Sequence, residues 1–460
     1  MERNAYTGKN ITVFGLRKSG KAAIELLLKN GAKVFATEKS AEIDSSLIIW
    51  LEELHVPFEL GFHSRKAIEN KDLIVLSPGV DPRIPLLEEA RILNVPIIGE
   101  VELAYQFSSS TFIAVTGTSG KSTTVELIGK IISAHRNNVY VCGNIGIPIS
   151  EIITQNQIQS SLIVELSSFQ LETIQEFRPK VAVFLNFSED HLDRYSSMDE
   201  YFNAKKRIFN NQTNNDFALL NADTPWLMTF ELTRPKKYYF SGLGSVDKGF
   251  FLQNNHVVIR EEGYPDRFVN LAKYRLKGKH NLTNAVSAIG ASYLFLGKEF
   301  DIEKTEKAIA NFEGLYHRYE FVGTFLGVDF INDSKSTKPH TTIVALQCIN
   351  KPTILILGGS DKGNVFNEMV KEITHNPYVK YVVITGKTQK KIRSAFEAVN
   401  FKKYKTTPTF KSAVFEAIAR ARDGDTVLLS PACASFDEFR DFEDRGDFFK
   451  HLVRSIYSNS

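Results

Sequence analysis

Cysteine, long apolar runs and blocks of like charge are all scarce in this 460-residue chain. The three cysteines, Cys142, Cys348 and Cys433, are widely spread, so neither a disulfide framework nor a cysteine zinc site is indicated. No apolar stretch approaches the length that spans a bilayer, and residues 1–6 enter a strand-like run without the apolar region of a signal peptide. The formal net charge is only +3, without a lysine or arginine block. We therefore expect a cytoplasmic protein with no membrane insertion and no nucleic-acid partner.

Apolar residues make up 43% and charged residues 24% of the chain, as in a globular protein with several cores. Strand-like and helix-like runs alternate over residues 1–108 and again after residue 315, which is the rhythm of a parallel sheet with helices. Shorter runs between residues 218 and 275 predict a small accessory sheet. We predict an α/β protein of three domains: a Rossmann-like domain (1–108), a P-loop ATPase-type domain (109–314) and a second Rossmann-like domain (315–460).

The most informative stretch runs from Ile113 to Thr124 in the predicted middle domain. An apolar strand-like run ends there at a glycine-bracketed loop, and apolar residues return at helical spacing from Val125. A strand, a small-residue loop and a helix N-terminus together form a nest of N–H groups for phosphate oxygens. Lys121 would add positive charge near the outer phosphates, and the Ser122 hydroxyl could bind Mg²⁺. The strict pattern needs its first glycine where Val115 stands, so this is a variant loop; the alternative is a polar turn with a solvated lysine.

A second glycine loop, Gly15–Lys21, matches the same spacing in the first domain. Ala22 stands where the Mg²⁺-binding hydroxyl belongs, and the middle glycine of a dinucleotide fingerprint is missing. We interpret this loop as a Rossmann-like ligand site, with a purely structural turn as the alternative.

Carboxylates follow two further strand-like runs of the middle domain. Glu165 closes one of them, where a nucleotide-bound Mg²⁺ usually finds a second ligand, although a lone strand-end glutamate is more often a cap or a surface residue. After the next run, four potential metal ligands crowd together: Glu189, Asp190, His191 and Asp193. This cluster suits a second metal or proton transfer, and a helix start rich in carboxylates would look the same.

In the third domain, Arg318, Asp333, Lys335 and Lys362 lie at or near predicted strand ends. Each alone reads as an ordinary surface charge, whereas together they offer cations for phosphates and a carboxylate for a ribose or a cation. The run Ser430–Phe439 follows a strand-like run and begins with small residues. Small residues there suit either close approach of the backbone to a small ligand or a tight turn.

Taken in order, these motifs resemble the Mur ligases, the ATP-dependent amide-forming enzymes of peptidoglycan precursor synthesis. The stretches that carry the resemblance are Thr116–Thr124, Gly143–Gly146, Glu165–Leu171, Asp190–Tyr195 and His280–Ala285. Two others, Asn332–Thr337 and Leu429–Gly446, resemble the family member that adds D-glutamate to UDP-N-acetylmuramoyl-L-alanine. The resemblance covers essentially the whole chain, and the combination of motifs is specific.

The resemblance implies a reaction in two steps. The alanine carboxylate of the UDP-linked substrate attacks the γ-phosphorus of ATP, and the amine of D-glutamate then attacks the resulting acyl phosphate. It also implies two Mg²⁺ ions, with Ser122, Glu165 and His191 among their ligands. Lys205 matches the lysine that the family carbamylates; an unmodified exposed lysine is the alternative. Lys121, Glu165, His191 and Lys205 would thus be the catalytic residues.

The remaining site residues are assigned by the same matching. ATP would be held by Gly117, Thr118, Ser119, Gly120, Lys121, Ser122 and Thr123, with Asn281 and Asn284 at adenine, Arg318 and Lys335 at phosphates and Asp333 at ribose. D-Glutamate would be held by Thr337, Lys362, Ser435, Phe436 and Phe442. The uridine end would meet Lys18, Ser19, Glu38, Lys39, Ser40 and Gly79, with Asn144 near the acceptor.

The chain departs from the family pattern at three places: Arg17–Lys18, Glu38–Ser40 and Lys338–His340. These departures fall at the uridine contacts and at the D-glutamate side near Lys338. The alternative functions are another Mur-type or folylpolyglutamate-type amide ligase, or a non-catalytic nucleotide-binding regulator. We expect the protein to be a monomer.

Overall fold

The computed structural model describes residues 6–41, 43–155, 159–191, 194–229, 231–276 and 278–458. Within these ranges the chain forms three sheets of mostly parallel strands with helices between them. The predicted α/β class with three sheet-based domains is therefore confirmed. None of the helices in the described ranges is both long and apolar enough to cross a bilayer.

The first sheet has five parallel strands in the order β3-β2-β1-β4-β5. Its elements are β1 (Asn10–Phe14), α1 (Lys18–Lys29), β2 (Lys33–Glu38), α2 (Ser45–Glu53), β3 (Phe58–Leu60), β4 (Leu73–Leu76), α3 (Pro85–Ile92), β5 (Ile97–Gly99) and α4 (Glu100–Gln106). The strand order reverses between β1 and β4, and ligands of such sheets bind beyond the strand ends at that point. The loops after β1 and β4 meet there, since the Ser77 hydroxyl donates to the Gly15 carbonyl over 2.6 Å.

The second sheet has nine strands in the order β14-β13-β12-β11-β10-β9-β6-β8-β7. Its elements are β6 (Thr111–Thr116), α5 (Lys121–Ser133), β7 (Val139–Gly143), α6 (Ile149–Gln155), β8 (Ser161–Glu165), α7 (Ser168–Leu171), β9 (Val181–Phe184), α8 (Met198–Lys206), β10 (Phe217–Asn221), α9 (Pro225–Thr229), β11 (Lys236–Ser241), β12 (Gly249–Gln253), β13 (His256–Arg260), β14 (Arg267–Asn270), α10 (Lys279–Leu296) and α11 (Ile302–Ala310). The central strands β6, β8 and β9 are almost completely buried, as expected for parallel strands covered on both faces.

The short strands expected between residues 218 and 275 are present. The last three, β12 to β14, form an antiparallel meander. This meander is continuous with the parallel part of the sheet, because β12 pairs in parallel with β11. The accessory strands thus extend one edge of the central sheet.

Two buried carboxylates of α4 join the first domain to the central one. Glu102 is fully buried and accepts the N–H groups of Gln175, Glu176 and Phe177 over 2.8–3.0 Å. Glu100 accepts the N–H of Ser150 over 2.6 Å, and burial raises the pKa of its carboxyl. Hydrogen bonds from several backbone amides offset the cost of burying these groups, so α4 is anchored firmly on the central domain.

The third sheet has six strands in the order β15-β16-β20-β17-β18-β19, and only its edge strand β15 is antiparallel among the described pairings. Its elements are β15 (Glu320–Phe325), β16 (Val328–Asn332), α12 (Pro339–Leu346), β17 (Thr353–Gly358), α13 (Asn367–His375), β18 (Val379–Thr385), α14 (Gln389–Ala398), β19 (Tyr404–Thr406), α15 (Phe410–Arg420), β20 (Thr426–Leu429) and α16 (Phe442–Ser458). The chain divides into two compact units: residues 1–274 with 279–312, and residues 275–278 with 313–460.

Candidate active site

The predicted phosphate loop lies between the end of β6 and the start of α5. Val115 is a fully buried strand residue, so the loop opens at Gly117, which explains the variant spacing. Gly120 precedes the helix with φ +79°, a conformation that L side chains rarely adopt. The first-turn N–H groups of a helix have no acceptor within the helix. The strand, loop and helix of the prediction are all present, with those N–H groups at Lys121, Ser122 and Thr123.

Lys121 is folded over this loop. Its Nζ donates to the carbonyl of Gly117 over 2.9 Å and to that of Thr118 over 3.0 Å, and the residue is half-buried. These contacts hold the ammonium group beside the phosphate-binding backbone. They argue against the alternative of a solvated lysine on an ordinary turn.

Asn186, which follows β9, holds the loop from the neighbouring strand. Its Oδ1 accepts the N–H groups of Thr118 (3.0 Å) and Ser119 (2.9 Å), and its Nδ2 donates to the Ser119 carbonyl over 3.1 Å. No role was predicted for Asn186 from the sequence. Its position as the first polar residue after a buried strand could have indicated one.

Replacing Asn186 with alanine is expected to raise the KM for ATP about tenfold, because two loop N–H groups lose their shared acceptor and the loop loses its fixed shape. Steady-state phosphate release at varied ATP measures the effect. Asn211→Ala is the matched control: its amide donates to the carbonyls of Gln175 and Phe177, away from the loop. An unchanged KM for ATP in a folded Asn186→Ala protein would contradict this role.

Glu165 is the last residue of β8, and both of its carboxylate oxygens accept hydrogen bonds. Oε2 accepts from the Ser122 hydroxyl over 2.7 Å, and Oε1 accepts from the Asn144 amide over 2.8 Å. The carboxylate is nearly fully buried, which argues against a surface role. A hydroxyl and a carboxylate are oxygen donors of the kind that Mg²⁺ prefers, so Ser122 and Glu165 fit such an ion. The structure brings these predicted residues together.

Lys205 lies on α8 and is only 2% exposed, so it is not an ordinary surface lysine. Its Nζ donates to the Gly117 carbonyl over 2.8 Å and lies 4.7 Å from the centre of the Tyr201 ring. Burial, and next the positive charge of Lys121, hold the pKa of Lys205 well below its usual range, while Asp190 and Glu165 act in the opposite direction. Two lysine amines thus share one loop carbonyl, and burial acts against the charged form of Lys205.

His191 also lies close to Tyr201. Its ring centre is 5.9 Å from that of Tyr201 and 4.8 Å from that of Phe169, and its Nε2 is 3.5 Å from Asp190 Oδ2. Over the described ranges, no group of three or more His, Cys, Asp or Glu residues could hold a metal ion. Asp193 of the predicted cluster lies outside those ranges. The metal-binding role of His191 stays a prediction.

Asn281 and Asn284 lie in the first turns of α10, which packs against α5. Asn284 is buried beside the phosphate loop: a Cβ added at Gly120 would lie 2.5 Å from its Oδ1. The Asn281 carbonyl accepts from the Tyr274 hydroxyl over 3.3 Å. Asn284 is therefore close to the predicted phosphate site, whereas the adenine contacts of both residues stay predictions.

The predicted uridine contacts lie at the carboxyl ends of β1, β2 and β4. Lys18 and Ser19 begin α1, while Lys39, Ser40 and Gly79 are exposed on loops. Glu38 connects two of these loops, because its carboxylate accepts the N–H groups of Leu16 (2.9 Å) and Ser40 (3.0 Å). Glu38 is therefore engaged in holding the backbone of this site.

In the third domain, Asp333 follows β16 and Ser430 follows the adjacent β20. Asp333 accepts from the Ser430 hydroxyl over 2.7 Å and from the Tyr319 N–H over 3.1 Å. Burial raises the pKa of Asp333 to about 6, although Arg318 nearby acts in the opposite direction. The predicted ribose and phosphate residues Asp333 and Arg318 are thus neighbours.

The predicted D-glutamate residues lie on loops of the same sheet. The Lys362 amine lies 4.8 Å from the centre of the exposed Phe436 ring, and Ser435 beside it is buried. The Lys335 amine lies 5.5 Å from the centre of the Phe442 ring, with Thr337 two residues further along its loop. A buried arginine, Arg445, also contacts these loops and was not singled out from the sequence.

Comparison with known proteins identifies the class. The family model described as the Mur ligase MurD-like N-terminal domain matches residues 9–99. The Mur ligase middle domain matches residues 115–292, and the Mur ligase glutamate ligase domain matches residues 317–433. The chain belongs to the Mur ligase family.

Among curated relatives, the recurring name is UDP-N-acetylmuramoylalanine–D-glutamate ligase. One such protein, from Thermoanaerobacter sp. strain X514, is 37% identical over 455 residues, which cover 98% of this chain and 99% of the relative. Another, from Clostridioides difficile strain 630, is 39% identical over 455 residues, with the same coverage.

Solved structures confirm the fold but not the substrate. UDP-N-acetylmuramate-alanine ligase from Thermotoga maritima matches with a TM-score of 0.60 and 20% identity, covering 97% of this chain and 100% of that one. Folylpolyglutamate synthase from Mycobacterium tuberculosis matches with a TM-score of 0.57 and 13% identity, covering 77% of this chain and 92% of that one. Because these proteins are named for different substrates, the shared fold alone does not select one.

Proposed function

We propose that this protein is an ATP-dependent ligase that joins D-glutamate to UDP-N-acetylmuramoyl-L-alanine in cytoplasmic peptidoglycan precursor synthesis. The names of whole-chain relatives at 37% and 39% identity support this substrate pair. The observation that carries the chemistry is the joint position of the Gly117–Thr123 loop, Glu165 and Lys205. Together they offer phosphate-binding amides, an oxygen site for a cation and a buried amine.

The first step brings anions together, since a substrate carboxylate attacks the γ-phosphorus of ATP while ADP leaves. The loop N–H groups and Lys121 would hold the phosphates and offset their charge. Ser122 and Glu165 would hold Mg²⁺, which supplies further charge neutralisation when bound. Asn144 keeps the Glu165 carboxylate oriented through its hydrogen bond.

In the second step, the amine of D-glutamate attacks the acyl carbon. A carbon–nitrogen bond forms, the carbon–oxygen bond to the phosphoryl group breaks, phosphate leaves and the amine loses a proton. Within the third domain, Thr337, Lys362, Ser435, Phe436 and Phe442 would bind D-glutamate. Lys362 offers a cation to a carboxylate, and the exposed Phe436 ring covers one side of that cation.

Lys205 would work as a carbamate. A neutral amine adds to CO₂ and releases a proton, and the lowered pKa of Lys205 favours that neutral form. The product is an anion in place of a cation beside Lys121, so repulsion between the two lysines would become attraction. An anion there would support a second Mg²⁺, with His191 as the other predicted ligand.

In the proposed function, each of the three predicted domains binds a different substrate. Residues 1–108 would bind the UDP-linked substrate, residues 109–314 would bind ATP, and residues 315–460 would bind the amino acid. We propose a monomer.

An amino-acid panel tests this function. The purified protein is given ATP, Mg²⁺ and UDP-N-acetylmuramoyl-L-alanine with D-glutamate, L-alanine, a diamino acid or D-Ala-D-Ala, and phosphate release is followed. We expect only D-glutamate to sustain turnover, with one glutamyl group added to the product by mass spectrometry. Equal turnover with another amino acid would indicate a different amide ligase. Calorimetric ATP binding without affinity for the UDP-linked substrate would indicate a nucleotide-binding regulator.

A further inference from the structure

Arg445 is an unusual residue in the third domain because its guanidinium group is almost completely buried. It is 1% exposed and stands among the largest fully buried side chains of the described residues. Arginine is rarely buried unless its charge is paired. Here the hydrogen bonds found among the described residues all go to neutral oxygens: the Ser334 hydroxyl and carbonyl and the carbonyls of Cys433 and Ala434.

The two edges of the guanidinium contact two different loops. Nε donates to Ser334 Oγ (2.9 Å) and Nη2 to the Ser334 carbonyl (2.8 Å), on the loop that follows β16. Nη1 donates to the carbonyls of Cys433 (3.0 Å) and Ala434 (3.3 Å), on the loop that follows β20. One planar fork therefore fixes the distance between these loops.

Further contacts converge on the same point. Ser334 Oγ donates in turn to the Phe442 carbonyl over 2.8 Å, and the Ser360 N–H donates to the Ala434 carbonyl over 2.8 Å. A Cβ added at Gly359 would lie 3.2 Å from Nη1 of Arg445. The loops after β16, β17 and β20 and the start of α16 thus meet around a single guanidinium group.

The residues predicted to contact ligands lie immediately beside these anchors. Ser334 stands between Asp333 and Lys335, and Ala434 directly precedes Ser435. Ser334 is itself fully buried, so it does not face a ligand. Because Arg445 holds the Ser334 backbone, it also sets the positions from which the side chains of Asp333 and Lys335 extend.

The buried charge adds an electrostatic effect. Burial lowers the pKa of Arg445 to about 10, so the group still carries its positive charge at neutral pH. The groups that act on this pKa in the opposite direction include the carboxylates of Asp437 and Asp333, so nearby carboxylates offset part of the buried charge.

We propose that Arg445 is a positioning residue of the amino-acid site, whose buried guanidinium holds the Ser435 loop in register with the Asp333–Lys335 loop. This inference rests on the proposed function, because that function places D-glutamate at residues on and beside these loops. Arginine is required for geometry as well as charge: a lysine ammonium is a point donor and cannot span both loops with a rigid fork.

Steady-state kinetics of the Arg445→Lys variant test the inference, because lysine keeps the positive charge and lacks the planar guanidinium group. We expect the KM for D-glutamate to rise about tenfold or more, from the loss of charge-assisted hydrogen bonds that place the loop. The KM for UDP-N-acetylmuramoyl-L-alanine should stay at the wild-type value, because its proposed site is in the other compact unit. Arg445→Gln, which also removes the charge, should raise the KM for D-glutamate further.

Two additional variants separate positioning from general damage. Ser334→Ala removes the acceptor of Nε and the donor to the Phe442 carbonyl, and it keeps the Ser334 carbonyl that accepts from Nη2. It should raise the KM for D-glutamate by a smaller factor, although Ser334 cannot touch the substrate. Arg420→Lys is the matched control: Arg420 lies in the same domain, pairs with Glu416 over 2.6 Å and stacks on Tyr381. It should leave every KM unchanged.

The outcomes are distinguishable. Wild-type protein without D-glutamate-dependent phosphate release would overturn the proposed function and this inference with it. An active wild type, with an unchanged KM for D-glutamate in folded Arg445→Lys and Ser334→Ala proteins, would overturn the inference alone. If Arg445→Lys does not fold, Ser334→Ala decides the question. An equal rise in the KM values of both substrates would mean that Arg445 serves the fold rather than the amino-acid site.

Discussion

Replacing Lys121 with alanine is expected to abolish turnover while leaving the fold intact. The Lys121 amine donates to two carbonyls of the predicted phosphate loop and, in the proposed function, would meet phosphate oxygens there. Removing one preorganised group that stabilises transition-state charge costs about a hundredfold to a thousandfold in rate. The two hydrogen bonds lost from the folded protein are each worth only about 1 kcal/mol. Phosphate release and thermal unfolding of the same preparation give both quantities.

Lys130→Ala is the control for this experiment, because Lys130 lies in the last turn of the same helix α5 and is exposed. It should keep wild-type activity and stability. Normal turnover by a well-folded Lys121→Ala protein would refute the phosphate-loop assignment. The variant has a second expected effect: without the positive charge of Lys121, the pKa of Lys205 should move back toward its usual value.

Replacing Lys205 with alanine is expected to lower activity about a hundredfold or more, with partial recovery when formate or acetate is supplied. The side chain is buried against the Gly117 carbonyl and the Tyr201 ring, so its removal leaves space at the phosphate loop. A small carboxylate in that space would restore the negative charge that the proposed carbamate would supply. Activity at varied carboxylate concentration, with unfolding measured in parallel, checks the prediction.

The neighbouring lysine provides the matched control. Lys206 is on the same helix but lines a separate cavity of about 520 Å³ with Arg83 and Glu200. Lys206→Ala should remain active and insensitive to added carboxylates, and this result would assign the proposed carbamate to Lys205 rather than Lys206. Wild-type activity in Lys205→Ala would remove the carbamate hypothesis. Loss of activity without any recovery would indicate that Lys205 serves only to hold the loop, through its hydrogen bond to the Gly117 carbonyl.

Much of the phosphate loop could be predicted because its signals are local. The apolar run before Gly117, the small residues of the loop and the helical spacing after Lys121 lie within a few turns of chain, and the structure has the same strand, loop and helix. The position of Glu165 at a strand end was equally readable, because parallel strands place their carboxyl ends along one edge. The short strands after residue 218 were also visible in their alternation, but their pairing with the central sheet depends on contacts across the fold.

The burial of individual charged residues could not be predicted from the sequence in the same way. Lys205 and Lys206 are adjacent and chemically identical, yet only packing against Gly117 makes one of them almost inaccessible. Arg445 stands in the charged run Glu443–Asp447, which has the composition of a solvated helix face. Asn186 was visible as a polar residue after a strand, whereas its hold on Thr118 and Ser119 required the neighbouring strand to be in place.

The sequence by itself therefore determined the α/β class, the strand, loop and helix around Gly117, and the residues that resemble those of Mur ligases. Only the tertiary structure decided which of those residues are buried, which hold one another, and that Asn186 and Arg445 form hydrogen bonds with loops far away in the chain. The physical reason is distance along the chain. Periodicity and turn chemistry act between near neighbours, but Lys205 lies 88 residues from Gly117 and Arg445 lies 111 residues from Ser334. Contacts over such separations exist only once the sheets have assembled.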